Sequence, residues 1–286
     1  MKTTPNVSTL IYDVGMNTGQ DTDYYLKRGF NVVAFEADPN NVGFCRQRFA
    51  DEIENGRLKI VEGAITENRT SGGFPEKVKF YQNMDHPLWG STSEDFAARN
   101  EVLGTTNNVI EVDAVDFREC LEEYGIPYYL KADIVGDEIL CLRALREFQN
   151  KPEYISIRSE KVIFKKLKKE FKLLEELGYD RFKAVQQDVT DWHINFQDLP
   201  GVSIDYIFEE GASGPFGEDS PGDWKKKDDV INEYRRIFKF YWLFGDYSYL
   251  IQTEKGKEFI AQLERFARRP LPGWYDTHAK HSSALD

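Results

Sequence analysis

The residues that carry the most chemistry stand together at one turn. Asp13-Val14-Gly15-Met16-Asn17-Thr18-Gly19 follows the apolar run Leu10-Ile11-Tyr12 and precedes a helical pattern over 21–28. Glycines at such a turn let the backbone bend sharply and let a ligand approach it closely. The helix behind it presents unpaired N–H groups. A dinucleotide site wants Gly-x-Gly-x-x-Gly here to seat a pyrophosphate. Asn17 stands where the second of those glycines belongs, and an acid, Asp13, leads the turn. A carboxylate beside the turn suits a cationic ligand end, such as the amino group of a methionine moiety. Glu36 closes the next strand, where an acid accepts hydrogen bonds from two ribose hydroxyls.

A second group of candidates lies further along. Asp133 ends a strand read over 128–133, at the sheet edge where open α/β folds bind ligands. A carboxylate there is placed to take a proton from a weakly nucleophilic hydroxyl. Lys131, two residues earlier, has the type to orient an acceptor oxygen. Of the 4 histidines, His86, His193 and His281 read as surface residues, while His278 follows Asp276 in Trp274-Tyr275-Asp276-Thr277-His278-Ala279. A metal site from Asp191, His193, Asp276 and His278 would need sequence-distant residues to meet, and none is expected.

These residues need elements to hold them. Short β-branched runs at 10–14, 32–36, 58–61, 128–133 and 154–157 alternate with helical patterns, which predicts a parallel sheet with helices on both faces. Asp38-Pro39 is a strong helix start, an N-cap acid followed by proline at the first helical position. Residues 78–81 read as a short strand, 83–108 as a polar irregular loop or lid, and 109–112 as a strand leading to a helix that ends near Tyr124-Gly125. A helix follows over 137–148. Phe164, Leu167, Phe171, Leu174 and Leu177 mark one face of an amphipathic helix, with Lys165, Lys166, Lys168, Lys169 and Lys172 as its solvated face. The last third is rich in aromatics (Trp192, Phe208, Phe216, Trp224, Tyr241, Trp242, Tyr247) and holds the turn-rich Gly211-Ala212-Ser213-Gly214-Pro215-Phe216-Gly217. It reads as a substrate-covering insertion with the last sheet strands. The expectation is one Rossmann-like domain over 1–286, with a cofactor-binding core at 1–185 and the insertion, last strands and tail at 186–286.

Composition narrows the partners. The chain has 286 residues, 41% of them hydrophobic, enough for a sizeable core. A net charge of -12 repels nucleic acid and anionic membranes, leaving a small molecule, a glycan or a protein as substrate. The 3 cysteines, Cys45, Cys120 and Cys141, show no CxxC spacing, which fits a reducing compartment. No apolar run reaches the roughly 20 residues of a bilayer span, and the start lacks a signal peptide's apolar stretch. A cytoplasmic protein is expected; the oligomeric state is not readable.

The chain resembles the FkbM-type methyltransferases over about residues 10–177. The matching stretches are Asp13 to Gly19, Val33-Ala34-Phe35-Glu36-Ala37-Asp38-Pro39-Asn40, Gly63-Ala64-Ile65 and Leu130-Lys131-Ala132-Asp133-Ile134-Val135-Gly136. Ser213-Gly214-Pro215-Phe216-Gly217-Glu218 and the segment around His278 resemble a subset of the family. The resemblance implies a class I methyltransferase fold and methyl transfer from S-adenosylmethionine, commonly to a hydroxyl of a sugar or natural product. It implies that Asp13, Gly15, Asn17 and Gly19 cradle the methionine end with Thr22 close by, that Glu36 and the adjoining Ala37 and Asp38 hold the ribose side, and that Gly63 and Ala64 lie along the adenine. Asp133, Lys131 and His278 are then the candidates for acting on the acceptor.

Two departures bear on that reading. The family usually carries Glu where this chain has Val135, and often an acid where Arg158 stands. A changed substrate or an impaired, cofactor-binding-only protein are the alternatives these raise. A nucleotide-dependent oxidoreductase is the remaining rival, since NAD carries the same ribose. Val135 and Arg158 are expected to lie close together near Asp133.

Overall fold

A computed structural model describes residues 1–67, 73–187, 193–199, 202–245, 248–251, 253–267, 271 and 273–284. In chain order the first elements are β1 (Asn6–Val14), α1 (Gln20–Lys27), β2 (Asn31–Glu36), α2 (Pro39–Arg48), α3 (Ala50–Glu54), β3 (Leu58–Glu62), β4 (Ala64–Ile65) and β5 (Lys77–Asn83). Then come α4 (Glu94–Val102), β6 (Asn107–Val115), α5 (Phe117–Tyr124), β7 (Ile126–Ala132), α6 (Glu138–Leu145), β8 (Tyr154–Arg158) and α7 (Phe164–Glu176). The chain ends with β9 (Tyr179–Gln186), β10 (His193–Leu199), β11 (Val202–Ile207), α8 (Lys227–Phe244), α9 (Glu254–Ala267) and β12 (Tyr275–His281). The main sheet has seven strands in the order β3-β2-β1-β7-β8-β12-β9. β1 runs parallel to both β2 and β7, and β2 parallel to β3, whereas β9 and β12 pair antiparallel. This is the expected mostly parallel α/β sheet.

Backbone packing separates two compact units. The first comprises Met1–Ile155 with Phe196–Ile204, the second Ser156–Asn195 with Asp205–Asp286. The division falls inside β8, about thirty residues before the position read from the sequence. β8 carries no break in composition, so the change of unit leaves no local signal.

In the first unit Ile11, Tyr12, Val14, Ala34 and Leu130 are fully or almost fully buried. Tyr12 packs its ring against Phe35 and Phe117, and its hydroxyl donates to the carbonyls of Cys120 and Gly125 at 2.9 and 3.0 Å. The polar tip of a buried tyrosine is thereby satisfied. Asp38 caps α2 as expected, its Oδ1 accepting the Asn40 N–H at 2.9 Å.

Residues 83–108 are not the irregular loop expected. They contain a turn of 3-10 helix at Pro87–Trp89 and the helix α4. Helix α4 buries only Ala97 and Asn100, so no apolar stripe announced it. Its start carries Ser93 followed by Glu94 and Asp95, which suits a helix N-terminus.

In the second unit α7 buries Leu167, Phe171 and Leu174, and Phe171 meets Phe182 of β9 and Tyr234 of α8 edge-on at 5.2 and 5.9 Å. Lys165, Lys166, Lys168, Lys169 and Lys172 are exposed, the solvated face read from the sequence. No described helix is long and apolar enough to cross a membrane.

Candidate functional site

The β1–α1 turn is held in a conformation few residues adopt. Gly15, Asn17 and Gly19 all have positive φ, at 86, 50 and 86°. A Cβ on Gly15 would lie 2.1 Å from the Asp133 carbonyl oxygen, and one on Gly19 would strike the Phe49 ring at 2.3 Å. Glycine is therefore required at both positions, by φ and by space together. The N–H groups of Gly15 and Met16 both donate to the Phe35 carbonyl at 3.0 Å. On the α2 side, Arg48 donates to the Thr18 carbonyl at 3.0 Å and the Cys45 thiol to the Asn17 carbonyl at 3.2 Å. Neither Cys45 nor Arg48 was singled out by the sequence, because both act on backbone carbonyls some thirty residues away.

Asp13 lies beneath this turn, fully buried. Its Oδ2 accepts from the Thr22 hydroxyl at 2.6 Å and its Oδ1 from the Lys131 ammonium at 3.0 Å. Lys131 also pairs with Asp21 at 3.1 Å and donates to the Gly15 carbonyl at 3.3 Å. An ammonium has three donors, and here three acceptors take them. Burial opposes the charge on Lys131, but Asp13 foremost, then Asp21 and Asp133, hold its pKa well above the ordinary lysine value. Asp13 and Lys131, expected at the methionine end and at the acceptor, are thus joined to each other under the turn. Asp21 completes the cluster; its place in the first turn of α1 made it look like an ordinary dipole-complementing acid.

Glu36 faces the same turn from β2. Its carboxylate accepts the N–H of Asn17 at 2.7 Å and of Asp38 at 2.8 Å. Burial pushes its pKa up to about 7, against the pull of the backbone N–H groups of Asp38, Asn17 and Ala37. A carboxylate has about four lone-pair sites. The N–H groups of Asn17, Asp38 and Ala37 engage part of that set, which leaves acceptor capacity for a ligand hydroxyl. Next to it, Gly63 donates to the Glu36 carbonyl at 2.9 Å and has φ 135°; a Cβ there would sit 2.5 Å from the Asp113 carbonyl oxygen. Ala37 packs on the apolar cluster of Ala64, Phe80 and Val112. Gln82 donates to Asp38 Oδ1 at 2.8 Å. Asp13, Gly15, Asn17, Gly19, Thr22, Glu36, Ala37, Asp38, Gly63 and Ala64 therefore form one connected set in the first unit, built from the ends of β1, β2 and β3.

Asp133 follows β7, half-buried, its N–H donating to the Val14 carbonyl at 2.9 Å. The next residues are strained. Val135, β-branched and buried, has φ 32°. For such a residue positive φ is an outlier. It is held there from the 83–108 segment: Ser91 Oγ donates to the Val135 carbonyl at 2.7 Å, and Thr92 donates to the Asp137 carboxylate.

His278 belongs to the second unit, in β12, and is buried. Burial, aided by the Lys183 charge, pushes its pKa down to about 3, so the imidazole is neutral at ordinary pH. In the same unit the Arg158 guanidinium lies over the Trp274 ring, 5.4 Å from its centroid. Asp191 and Trp192, together with Tyr247, lie outside the described residues. Among the described residues no group of three or more His, Cys, Asp or Glu is disposed to hold a metal ion.

The chain is 40% identical over 60 residues to the "Probable ribosomal RNA small subunit methyltransferase A" of Haloquadratum walsbyi, a match covering 21% of this chain and 20% of that protein. It is 39% identical over 57 residues to the protein of the same description from Natronomonas pharaonis, covering 20% and 21%. The chain thus spans about a fifth of the length of these curated relatives. Among solved structures, a SAM-dependent methyltransferase from Archaeoglobus fulgidus overlaps 96% of this chain and 86% of its own at 10% identity and a TM-score of 0.36. The precorrin-6y C5,15-methyltransferase of Geobacter metallireducens overlaps 71% and 76% at 13% identity and a TM-score of 0.35. The family described as Methyltransferase FkbM domain matches residues 13–181. That stretch holds every residue of the cradle, and it sets aside the oxidoreductase alternative: the chain belongs to the FkbM methyltransferase family and uses S-adenosylmethionine.

Proposed function

We propose that the chain transfers the methyl group of S-adenosylmethionine to a hydroxyl of a sugar, glycan or natural product. The observation that supports this most is the connected cradle of the first unit, with positive-φ glycines at the turn and a buried glutamate beside it. In this reading Gly15, Asn17 and Gly19 present backbone to the methionine end, and Thr22 and Lys131 fix Asp13 beneath them. Glu36 takes the ribose hydroxyls. Ala37 and Asp38 continue that wall, and Gly63 and Ala64 flank the adenine. When bound, the cofactor supplies an electrophilic methyl group on a sulfonium centre, so the protein's work is positioning and proton handling. Asp133 accepts the proton of the acceptor hydroxyl as that oxygen attacks. Lys131 acts through Asp13 and the turn, as a positioning residue. A neutral His278 suits hydrogen bonding better than proton removal, because a base works best with a pKa near the operating pH.

The test is transfer of labelled methyl across sugars, glycans and hydroxylated natural products. Asp133→Asn should lower turnover by about 10²–10⁴-fold on a responsive acceptor while leaving S-adenosylhomocysteine affinity within about twofold. Methylation of nitrogen or carbon acceptors alone refutes the hydroxyl assignment. A second reading, cofactor binding without turnover, draws on Val135, a buried valine where the family usually has Glu. Under that reading S-adenosylhomocysteine binds, no acceptor is methylated, and Val135→Glu creates activity the unmodified chain lacks.

A further inference from the structure

Helices α7 and α8 of the second unit pack side by side in opposite directions. Phe164, at the start of α7, meets Phe238 of α8 edge-on at 5.0 Å, while Phe171, about two turns further along α7, meets Tyr234, about one turn back on α8. The C-terminal end of α8 therefore lies beside the residues that lead into α7, and the Lys161 ammonium sits over the Tyr241 ring at 4.9 Å. That shared end exposes large apolar side chains from both helices. Val162 and Ile163 precede α7, and Phe240, Trp242 and Leu243 close α8, with Val162 at 53% exposure and Trp242 at 78%. Exposed apolar residues scattered singly are ordinary, but a cluster of them marks an interaction site. The same stretch of α8 buries Ile237 and Tyr241 on its inner side, so this end of the helix is apolar on both sides. A helix apolar all round belongs away from water.

The flanks of this apolar end are cationic, although the chain as a whole carries a net charge of -12. From Lys161 to Leu174 there are six lysines and one acid, Glu170, whose carboxylate is turned to the Glu160 N–H at 3.5 Å. From Tyr234 to Gly245 there are Arg235, Arg236 and Lys239 and no acid. Lys168 and Arg235 both lie by the Phe164 ring, 5.4 and 6.0 Å from its centroid, so the two rows of cations adjoin. Lys166 and Lys172 reach Glu160 and Glu176 at 4.0 and 3.8 Å, long exposed pairs that bind little of their charge. Three occupants could cover such a surface. A second copy of the chain on a two-fold axis would set these cations against themselves. Single-stranded RNA would pair with the cations and stack on Phe240 and Trp242, but it would leave Val162, Ile163 and Leu243 in water. An anionic bilayer surface takes both kinds of residue.

We propose that this end of the α7–α8 pair docks on an anionic lipid surface, with Val162, Ile163, Phe240, Trp242 and Leu243 entering the boundary between headgroups and acyl chains. The lysines and arginines beside them meet the lipid phosphates and carboxylates. Tryptophan suits that boundary, because its ring is apolar and its N–H finds a partner among the headgroups. The contact is peripheral and spans nothing, and it is independent of which acceptor the methyl group reaches.

The experiment is flotation of the full chain with vesicles of phosphatidylcholine alone, or with phosphatidylserine as about one lipid in three, at about 0.1 and 0.5 M salt. The chain should float with the anionic vesicles, at least about fivefold less at the higher salt, and stay behind with the neutral ones. Arg236→Ser combined with Lys239→Ser should weaken binding about twentyfold or more, about fivefold for each cation. Trp242→Ser should weaken it about tenfold, the loss of one inserted aromatic. All three side chains are exposed, so circular dichroism should be unchanged and S-adenosylhomocysteine affinity should hold within about twofold, which separates lost docking from misfolding. Titration with oligouridylate and sedimentation velocity of the free chain test the other two occupants. Failure to float with anionic vesicles, equal flotation with neutral ones, undiminished flotation of either variant, tighter binding of the oligonucleotide, or a dimer that Trp242→Ser dissociates overturns the proposal.

Discussion

Cofactor affinity should depend on pH through Glu36. The folded carboxyl titrates near 7 against an ordinary 4.5, raised chiefly by burial. On the proposed reading the ionised form is the better acceptor for the ribose, since it receives from the ligand while still accepting the N–H groups of Asn17 and Asp38. With a pKa of about 7, roughly one molecule in eleven is ionised at pH 6 and ten in eleven at pH 8. The dissociation constant for S-adenosylhomocysteine should therefore fall about tenfold from pH 6 to pH 8. Glu36→Gln should remove this slope. Its amide presents one oxygen to two backbone N–H groups and turns its own N–H toward the other. One charged-acceptor bond, about 1.5–3 kcal/mol, is then lost at pH 8, tenfold or more in affinity. At pH 6, where the native carboxyl is mostly protonated, the two proteins should converge.

The assay is isothermal titration calorimetry at pH 6, 7 and 8 in two buffers of different ionisation enthalpy. Binding at pH 6 should release close to one proton, and at pH 8 almost none. The free protein supplies an independent check on the sign. A carboxyl whose folded pKa lies above its unfolded value favours the fold when protonated. Its contribution is present below about 4.5 and is lost as pH rises to about 7, on the order of 3 kcal/mol in all. Wild-type affinity that is flat between pH 6 and 8, or a Glu36→Gln variant with the same slope as wild type, refutes this reasoning.

Other expectations follow from the same network. Lys131→Met leaves Asp13 and Asp21 as buried anions without their cation, and should cost about 3–5 kcal/mol in urea unfolding; a loss below about 1 kcal/mol shows that the aspartates find other partners. Gly15→Ala places a Cβ against the Asp133 carbonyl at positive φ, so calorimetry should detect no S-adenosylhomocysteine binding, and retained binding shows that the turn can shift. His278 is held neutral, with a folded pKa of about 3 against 6.5. Its contribution is complete above pH 6.5 and is lost as pH falls toward 3, at about 1.4 kcal/mol per unit. His278→Gln should flatten that acid limb of the stability curve, and an unchanged limb places the titration elsewhere.

What could be read from the sequence was what is encoded locally. The β1–α1 turn, Glu36 at the end of β2 and the Asp38-Pro39 start of α2 depend on residues within a few positions of one another, so their types and spacing suffice. Long-range completion was not visible. Lys131 reaches Asp13 and Asp21 across more than a hundred residues, and nothing near Lys131 distinguishes it from a solvated lysine. Ser91 holds the Val135 carbonyl from a segment whose polarity suggested a loop, because α4 buries an alanine and an asparagine instead of an apolar stripe. On β9 and β12 the alternation is polar against small or apolar, which usually means a solvated face. Here Asp276, His278 and Lys183 are buried, and only the register shows that they share a face.

On the proposed reading, the cluster under the turn suits a different ligand charge from that of dinucleotide-binding counterparts. The start of α1 carries the positive end of a helix dipole, which by itself favours an anion such as pyrophosphate. S-adenosylmethionine brings a sulfonium and an ammonium against a single carboxylate, a net cation. One lysine set against two aspartates, Asp13 and Asp21, leaves one net negative charge buried directly beneath the turn, and Asp133 adds to it from the end of β7. In a medium of low dielectric that charge acts over the few ångströms between the cluster and the turn with little screening. Lys131 is what makes it tolerable to bury: without it two buried carboxylates would face each other with no cation between them. On the proposed reading the lysine serves the cofactor without needing to touch it, by pairing with both aspartates and by holding the Gly15 carbonyl at the bend.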